Sequence, residues 1–114
     1  MSSSRSEQAR IQDILNSITS IQKHVANLDF DDFCGNETIQ KAVLYDLIVI
    51  GEPAKNISSE TQAKANIPWH LMGDMRNIMA HEYFQVNLKI TWSTIQNNLP
   101  TVIEPLEKLL RNLR

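Results

Sequence analysis

The sequence predicts an all-α fold, an antiparallel helical bundle of four to five helices. Three observations carry the prediction. Apolar residues recur at three- and four-residue spacing over long stretches, no stretch alternates as a half-buried strand would, and 114 residues with 42% hydrophobic content suit one compact core.

Met1–Ser6 is serine-rich and polar and reads as a disordered N-terminus, so that a single domain covers 7–114. Beyond it, Ile11, Ile14, Leu15, Ile18, Ile21 and Val25 form one stripe of an amphipathic helix expected to end near Leu28. Asp29–Asn36 mixes acids, a glycine and two aromatics. It reads as a connection whose Phe30 and Phe33 plug the core, with Asn36 as the N-cap of the next element. From Glu37 to about Ile57, the pattern Ile39, Val43, Leu44, Leu47, Ile48, Ile50, Ile57 predicts a second long helix, apolar around most of its girth and hence central. Gly51 and Pro53 interrupt it and mark either a kink or a close approach of another backbone. A short polar helix over Glu60–Ala65 follows, then a turn at Asn66–Pro68 and a helix from Trp69 to Tyr83. The last helix, Asn87–Leu113, turns Trp92, Ile95, Leu99, Val102, Ile103, Leu106, Leu109, Leu110 and Leu113 inward and bends near Pro100.

A chain this short buries a modest fraction of its surface, which leaves no room for a deep internal site. A functional site is expected in a surface groove or between subunits. The single cysteine, Cys34, cannot form an internal disulfide, and nothing at the N-terminus has the pattern of a signal peptide, so a cytoplasmic location fits. The longest apolar stretch, Val43–Ile50, is broken by Tyr45 and Asp46 and falls far short of the roughly 20 residues of a membrane span. The net charge is −2 with scattered lysines and arginines. Bulk charge therefore gives no nucleic-acid footprint, and any handling of RNA needs a local pocket or a symmetric dimer to gather positive charge.

The chain has no glycine-rich phosphate loop, no paired cysteines and no His-x3-His spacing for a metal. His24 falls on the solvated edge of the first helix. His70 sits beside Trp69 at a helix start, where packing or capping accounts for it. The run Arg76-Asn77-Ile78-Met79-Ala80-His81-Glu82-Tyr83 differs. At about 100° per residue, Leu71, Met72, Met75, Ile78 and Met79 share one arc of roughly 120°, the buried stripe. Opposite lie Tyr83, Arg76, Ala80, Asn77 and His81. Asn77 and His81, at i and i+4, can hydrogen-bond and so orient the imidazole. On spacing alone this reads first as a solvated face that holds Arg, Asn, His and Tyr by chance. Two details point beyond it: the small Ala80 leaves room for a ligand or a partner helix, and Glu82 falls inside the apolar arc.

Arg76 to Tyr83 also resembles the Arg-x4-His-x-Tyr motif of HepT-like HEPN toxins, the partners of minimal nucleotidyltransferase antitoxins. The resemblance extends through Leu47–Glu52, the Ile67-Pro68-Trp69 turn and the Tyr83-Phe84 step with Val86 behind it. Pro53, Asp74 and Asn87 depart from the residues usual in the family, and none lies in the motif. The resemblance implies a homodimer whose two motif helices face each other, making one cleft from two copies of the catalytic Arg76 and His81, with Asn77 in support. It implies a type VII-like toxin that cleaves RNA, with tRNA and mRNA as candidate substrates, and that can enter a larger hetero-oligomer with its antitoxin. Histidine suits general acid–base work on a ribose 2′-OH, and arginine's planar fork suits a phosphorane transition state, so no metal or cofactor is required. For Tyr83 there are two readings: an aromatic packing at the rim of the cleft, or, as the resemblance implies, the acceptor of AMP transferred by the antitoxin.

Two other classes share the same fold: a non-catalytic subunit that binds nucleotide or substrate for a nucleotidyltransferase, and a purely structural dimerisation bundle. Only the nuclease reading expects Arg76→Ala and His81→Ala to abolish toxicity with folding intact.

Overall fold

A computed structural model describes residues 6–74 and 87–113, and every regular element among them is helical. The longest, α1 (Glu7–Val25), is the amphipathic helix anticipated. Ile11, Ile14, Ile18, Ile21 and Val25 are buried, Leu15 packs partly against them, and the helix stops at Val25, three residues before the expected end. Ser6 is its N-cap, accepting from the Ala9 amide, so the one described residue of the expected disordered end is part of the helix start; residues 1–5 lie outside the described set.

The expected connection after α1 holds a further helix, α2 (Phe30–Cys34). Asp29 accepts from the Asp32 amide at 2.8 Å while the Asp32 carboxylate accepts from the Asp29 amide at 3.1 Å, a reciprocal cap that lets five residues hold a helical turn. Phe33 is fully buried and stacks at a tilt on Trp92, centroids 5.2 Å apart. Phe30, half-buried, meets the same ring at 6.3 Å. Both aromatics thus seal the core as anticipated.

Asn36 caps α3 (Glu37–Lys55) by accepting from the Ile39 amide. Pro53 neither breaks nor shortens α3 before its last turn. At that position the missing N–H costs one bond, to the Val49 carbonyl, and the helix closes two residues later. Contrary to the expectation of a helix covered around most of its girth, α3 is one-sided. Val43, Leu47, Ile50 and Ala54 are buried, whereas Tyr45 is 67% exposed and Ile48 and Val49 are half-buried. Antiparallel packing of α1 on α3 forms the main contact of the core, and Ser20 Oγ crosses it to donate to the buried Asp46 carboxylate at 2.7 Å.

α4 (Ser59–Gln62), the short polar helix, is held from a distance. Ser58 is its N-cap, and Glu7 at the start of α1 accepts from the Ser58 amide (2.8 Å), Ser58 Oγ (2.7 Å) and Thr61 Oγ1 (2.6 Å). Partial burial pushes the Glu7 carboxyl up, but these three bonds, with Arg10 nearby, outweigh it and hold it below its ordinary value of 4.5. A carboxylate with a depressed folded-state pKa stabilises the fold fully above the unfolded value, and the contribution is lost as pH falls through the folded one. Glu7→Gln is therefore expected to cost about 1–2 kcal/mol near neutral pH, with the gap from wild type closing in acid; urea titrations at both pH values check it. A gap that persists unchanged in acid would show that charge at Glu7 is immaterial.

The chain turns at Ile67 and Trp69, both buried, and enters α5, helical over 69–74. A last helix then runs as α6 (Leu88–Ser93), a π-helical turn (Thr94–Asn98) and α7 (Leu99–Leu113). Asn87 caps it, accepting from the Lys89 and Ile90 amides, which is worth about 1 kcal/mol. The π turn falls where a bend was expected. Pro100 has no N–H for the Gln96 carbonyl and its ring crowds that carbonyl, so the ladder widens just before it and Leu99 N–H reaches back to Thr94. Ile95, Leu99, Val102, Leu106, Leu109 and Leu110 are buried in the core, where α7 packs on α1, while Trp92, Ile103 and Leu113 are partly buried.

Candidate active site

The motif residues Arg76, Asn77, His81 and Tyr83, with Ala80 and Glu82, lie outside the described residues; what the structure gives is the approach to them and the exit from them. The approach is α5. Trp69 is buried and its Nε1 donates to the Gln62 carbonyl at 3.2 Å, which pins the helix start to the end of α4. Met72 and Gly73 are buried next to it. A Cβ on Gly73 would lie 2.6 Å from Lys55 Cγ, so with glycine there α5 rests on the last turn of α3 without displacing the Lys55 side chain. The buried side of α5 is thus Trp69, Met72 and Gly73. Leu71, expected in the apolar stripe, is instead 68% exposed, on the side of the helix opposite Trp69, Met72 and Gly73.

Among the described residues, the other two histidines carry no constellation. His70 Nε2 lies 3.3 Å from Asp74 Oδ2 in an i,i+4 pair with the imidazole 91% exposed, and His24 is exposed with Nδ1 2.7 Å from the Ser20 carbonyl. His70 therefore neither packs nor caps; it makes a surface pair worth little. On the exit side, Asn87 sets the start of α6.

Among the described residues, concavities are open grooves. One lies between α1 and α7 over Asn16, Gln22, Glu107 and Arg111; another lies beside α7 over Lys64, Asn66, Glu104 and Lys108. Neither is lined by a histidine, a cysteine or a serine. No described helix is long and apolar enough to cross a membrane.

The profile of the family described as "Ribonuclease HepT-like" matches residues 14–109, a span that contains the whole Arg76–Tyr83 run. The chain belongs to the HepT-like ribonuclease family. It is 33% identical over 106 residues to "Probable ribonuclease HepT" of Thermococcus cleftensis, covering 92% of this chain and 96% of that one. It is 30% identical over 106 residues to "Putative RNase MJ1380" of Methanocaldococcus jannaschii, covering 92% and 97%. A third relative, "Gamma-glutamylcyclotransferase and putative RNase MJ0434" of the same organism, is 35% identical over 101 residues, 88% of this chain. The chain spans about half of that longer relative, 46% of its length. No solved structure matches the chain.

Proposed function

We propose that this chain is an endoribonuclease toxin of the HEPN type, working in the cytoplasm as a homodimer and cutting RNA without a metal. The observation that carries the reading is the Arg76-x4-His81-x-Tyr83 run, which lies inside the matched span and directly after α5. Relatives named as ribonucleases that align over nearly their full length support it.

In the composite cleft, one His81 takes the proton of a ribose 2′-OH and the freed oxygen attacks phosphorus. The P–O5′ bond breaks, and the 5′-oxygen leaves with a proton from the other His81, giving a 2′,3′-cyclic phosphate. Two copies of Arg76 bind the non-bridging oxygens and stabilise the charge that builds on them. They also supply the positive charge that a net-negative monomer lacks. Asn77, one helical turn before His81, orients the imidazole. A nucleotidyltransferase antitoxin switches the enzyme off by transferring AMP to Tyr83, which sets a bulky anion beside Arg76.

The test is to incubate protein, confirmed by mass to carry no AMP, with end-labelled tRNA or mRNA in EDTA. Cyclic-phosphate ends are expected, with DNA of the same sequence left intact. Cleavage of the DNA would sink the 2′-OH mechanism, and no cleavage of either RNA would favour a subunit that only binds nucleotide. Tyr83→Phe is expected to cut RNA at the wild-type rate and to take no label from the antitoxin with radiolabelled ATP. Retained labelling would move the modification to another residue.

A further inference from the structure

Two seats receive α5. Gly73 rests on the side chain of Lys55, the last residue of α3, and the Trp69 indole N–H donates to the carbonyl of Gln62, the last residue of α4, at 3.2 Å. In sequence α5 leads directly to Arg76 and His81, so whatever holds these two seats also sets the direction in which the chain enters the motif run.

The α4 seat is not held by α4 itself. Four residues are too few to persist as an isolated helix, and the packing of α4 on the other described helices is sparse. Its place comes from α1. One oxygen of the Glu7 carboxylate accepts from the Ser58 amide, and the other accepts from the hydroxyls of Ser58 and the buried Thr61. Gln62 ties the end of α4 back to the same loop, its Nε2 donating to the Ile57 carbonyl at 3.1 Å. The neighbouring seat is gripped from the same turn of α1: Arg10 donates to the carbonyl of Asn56, the residue after Lys55, at 3.3 Å. Hydrogen bonds suit this task because they fix direction, whereas apolar contact is non-directional. Nor is Glu7 needed to start its own helix, which Ser6 already caps.

We propose that Glu7 is a positioning residue for the RNA-cleaving motif: its carboxylate holds α4, α4 holds Trp69, and Trp69 sets the entry of α5 into the run that carries Arg76 and His81. This rests on the nuclease reading and adds to it a residue far from the motif in sequence. The experiment uses the full chain as wild type, Glu7→Ala, Glu7→Gln, Trp69→Phe, the Glu7→Ala/Trp69→Phe double variant and Ser20→Ala, each at a temperature where circular dichroism shows it folded. Ser20→Ala is the control, because it weakens the fold by removing the bond to Asp46 between α1 and α3 and touches neither seat. Two quantities are read: single-turnover cleavage of labelled RNA, and hydrogen exchange of the Trp69 indole N–H followed by NMR, its signal assigned by its loss in Trp69→Phe.

Glu7→Ala is expected to lower the rate at saturating RNA about tenfold or more, with the RNA concentration for half-maximal rate changed less than about twofold, because misplaced reacting groups cost rate more than binding. Glu7→Gln keeps one of the two acceptor oxygens and is expected to fall between. Indole exchange is expected to accelerate about tenfold in Glu7→Ala and to stay at the wild-type value in Ser20→Ala. In the Trp69→Phe background Glu7→Ala is expected to add less than about a twofold loss, since the link it acts through is already gone. Wild-type cleavage by folded Glu7→Ala, an equal loss in Ser20→Ala, or losses that multiply in the double variant overturn the positioning role and leave the nuclease standing. Indole exchange unmoved by Glu7→Ala removes the link to Trp69 whatever the cleavage result. A wild type that cuts no RNA overturns the nuclease reading and the positioning role together.

Discussion

Alanine at Arg76 or at His81 is expected to remove RNA cleavage while leaving helical content and association unchanged. The expected loss is about 10²–10⁴-fold for His81→Ala, the usual worth of a positioned acid–base group, and it doubles in meaning in a dimer because both copies are lost together. For Arg76→Ala a comparable loss is expected, about 10²–10³-fold, since in the proposed mechanism its fork stabilises the extra charge that builds on the non-bridging oxygens in the transition state. Arg76→Lys should recover little, because an ammonium cannot grip two phosphoryl oxygens at once. The measurement is single-turnover cleavage of labelled RNA, paired with growth of host cells expressing each variant. Variants that fold, cut RNA at the wild-type rate and still arrest growth would separate the activity from this motif.

The largest effect on stability is expected at Phe33. Its side chain is fully buried and stacked on Trp92, and it joins α2 to the last helix across the core. Phe33→Ala removes a ring from a packed site and is expected to cost about 3–5 kcal/mol, the lost burial plus the cavity left behind. Against a typical total of about 5–15 kcal/mol, that is a large share of what keeps the domain folded. Phe33→Leu should recover more than half of it by refilling the volume. Thermal and urea unfolding followed by far-UV circular dichroism check both, and a loss under about 1 kcal/mol for the alanine variant would show that α2 is not part of the cooperative core.

Much of the bundle was legible because its main helices are amphipathic and long. The stripes of α1 and of the final helix and the cap at Asn36 follow from spacing and residue type, and the bend expected near Pro100 marks the place where the ladder widens into a π turn. α2 was not, since five residues are too few for a period to register, although Asp29 three places before Asp32 is a cap signature. The exposure of Leu71 was hidden because it depends on which side of α5 meets the rest of the bundle, the side of Trp69, Met72 and Gly73. The hold of Glu7 on Ser58 and Thr61 joins residues far apart in the chain and leaves no local trace. At the site, helical spacing brought out one polar face but left it open to a bland reading. The specific Arg-His-Tyr order came from resemblance, and the family match over 14–109 bears that resemblance out.

The chain's two tryptophans stand on either side of the motif in sequence, Trp69 buried at the approach and Trp92 stacked on Phe33 and Phe30 beyond the exit. Each is a built-in fluorophore with a different quenching environment: one is hydrogen-bonded through its indole N–H to the Gln62 carbonyl, the other held among phenyl rings. Trp92→Phe leaves a single emitter at the approach, and Trp69→Phe leaves one at the exit. Oligonucleotide titrations and stopped-flow mixing can thus follow the two flanks of the motif as separate optical channels, with no dye attached.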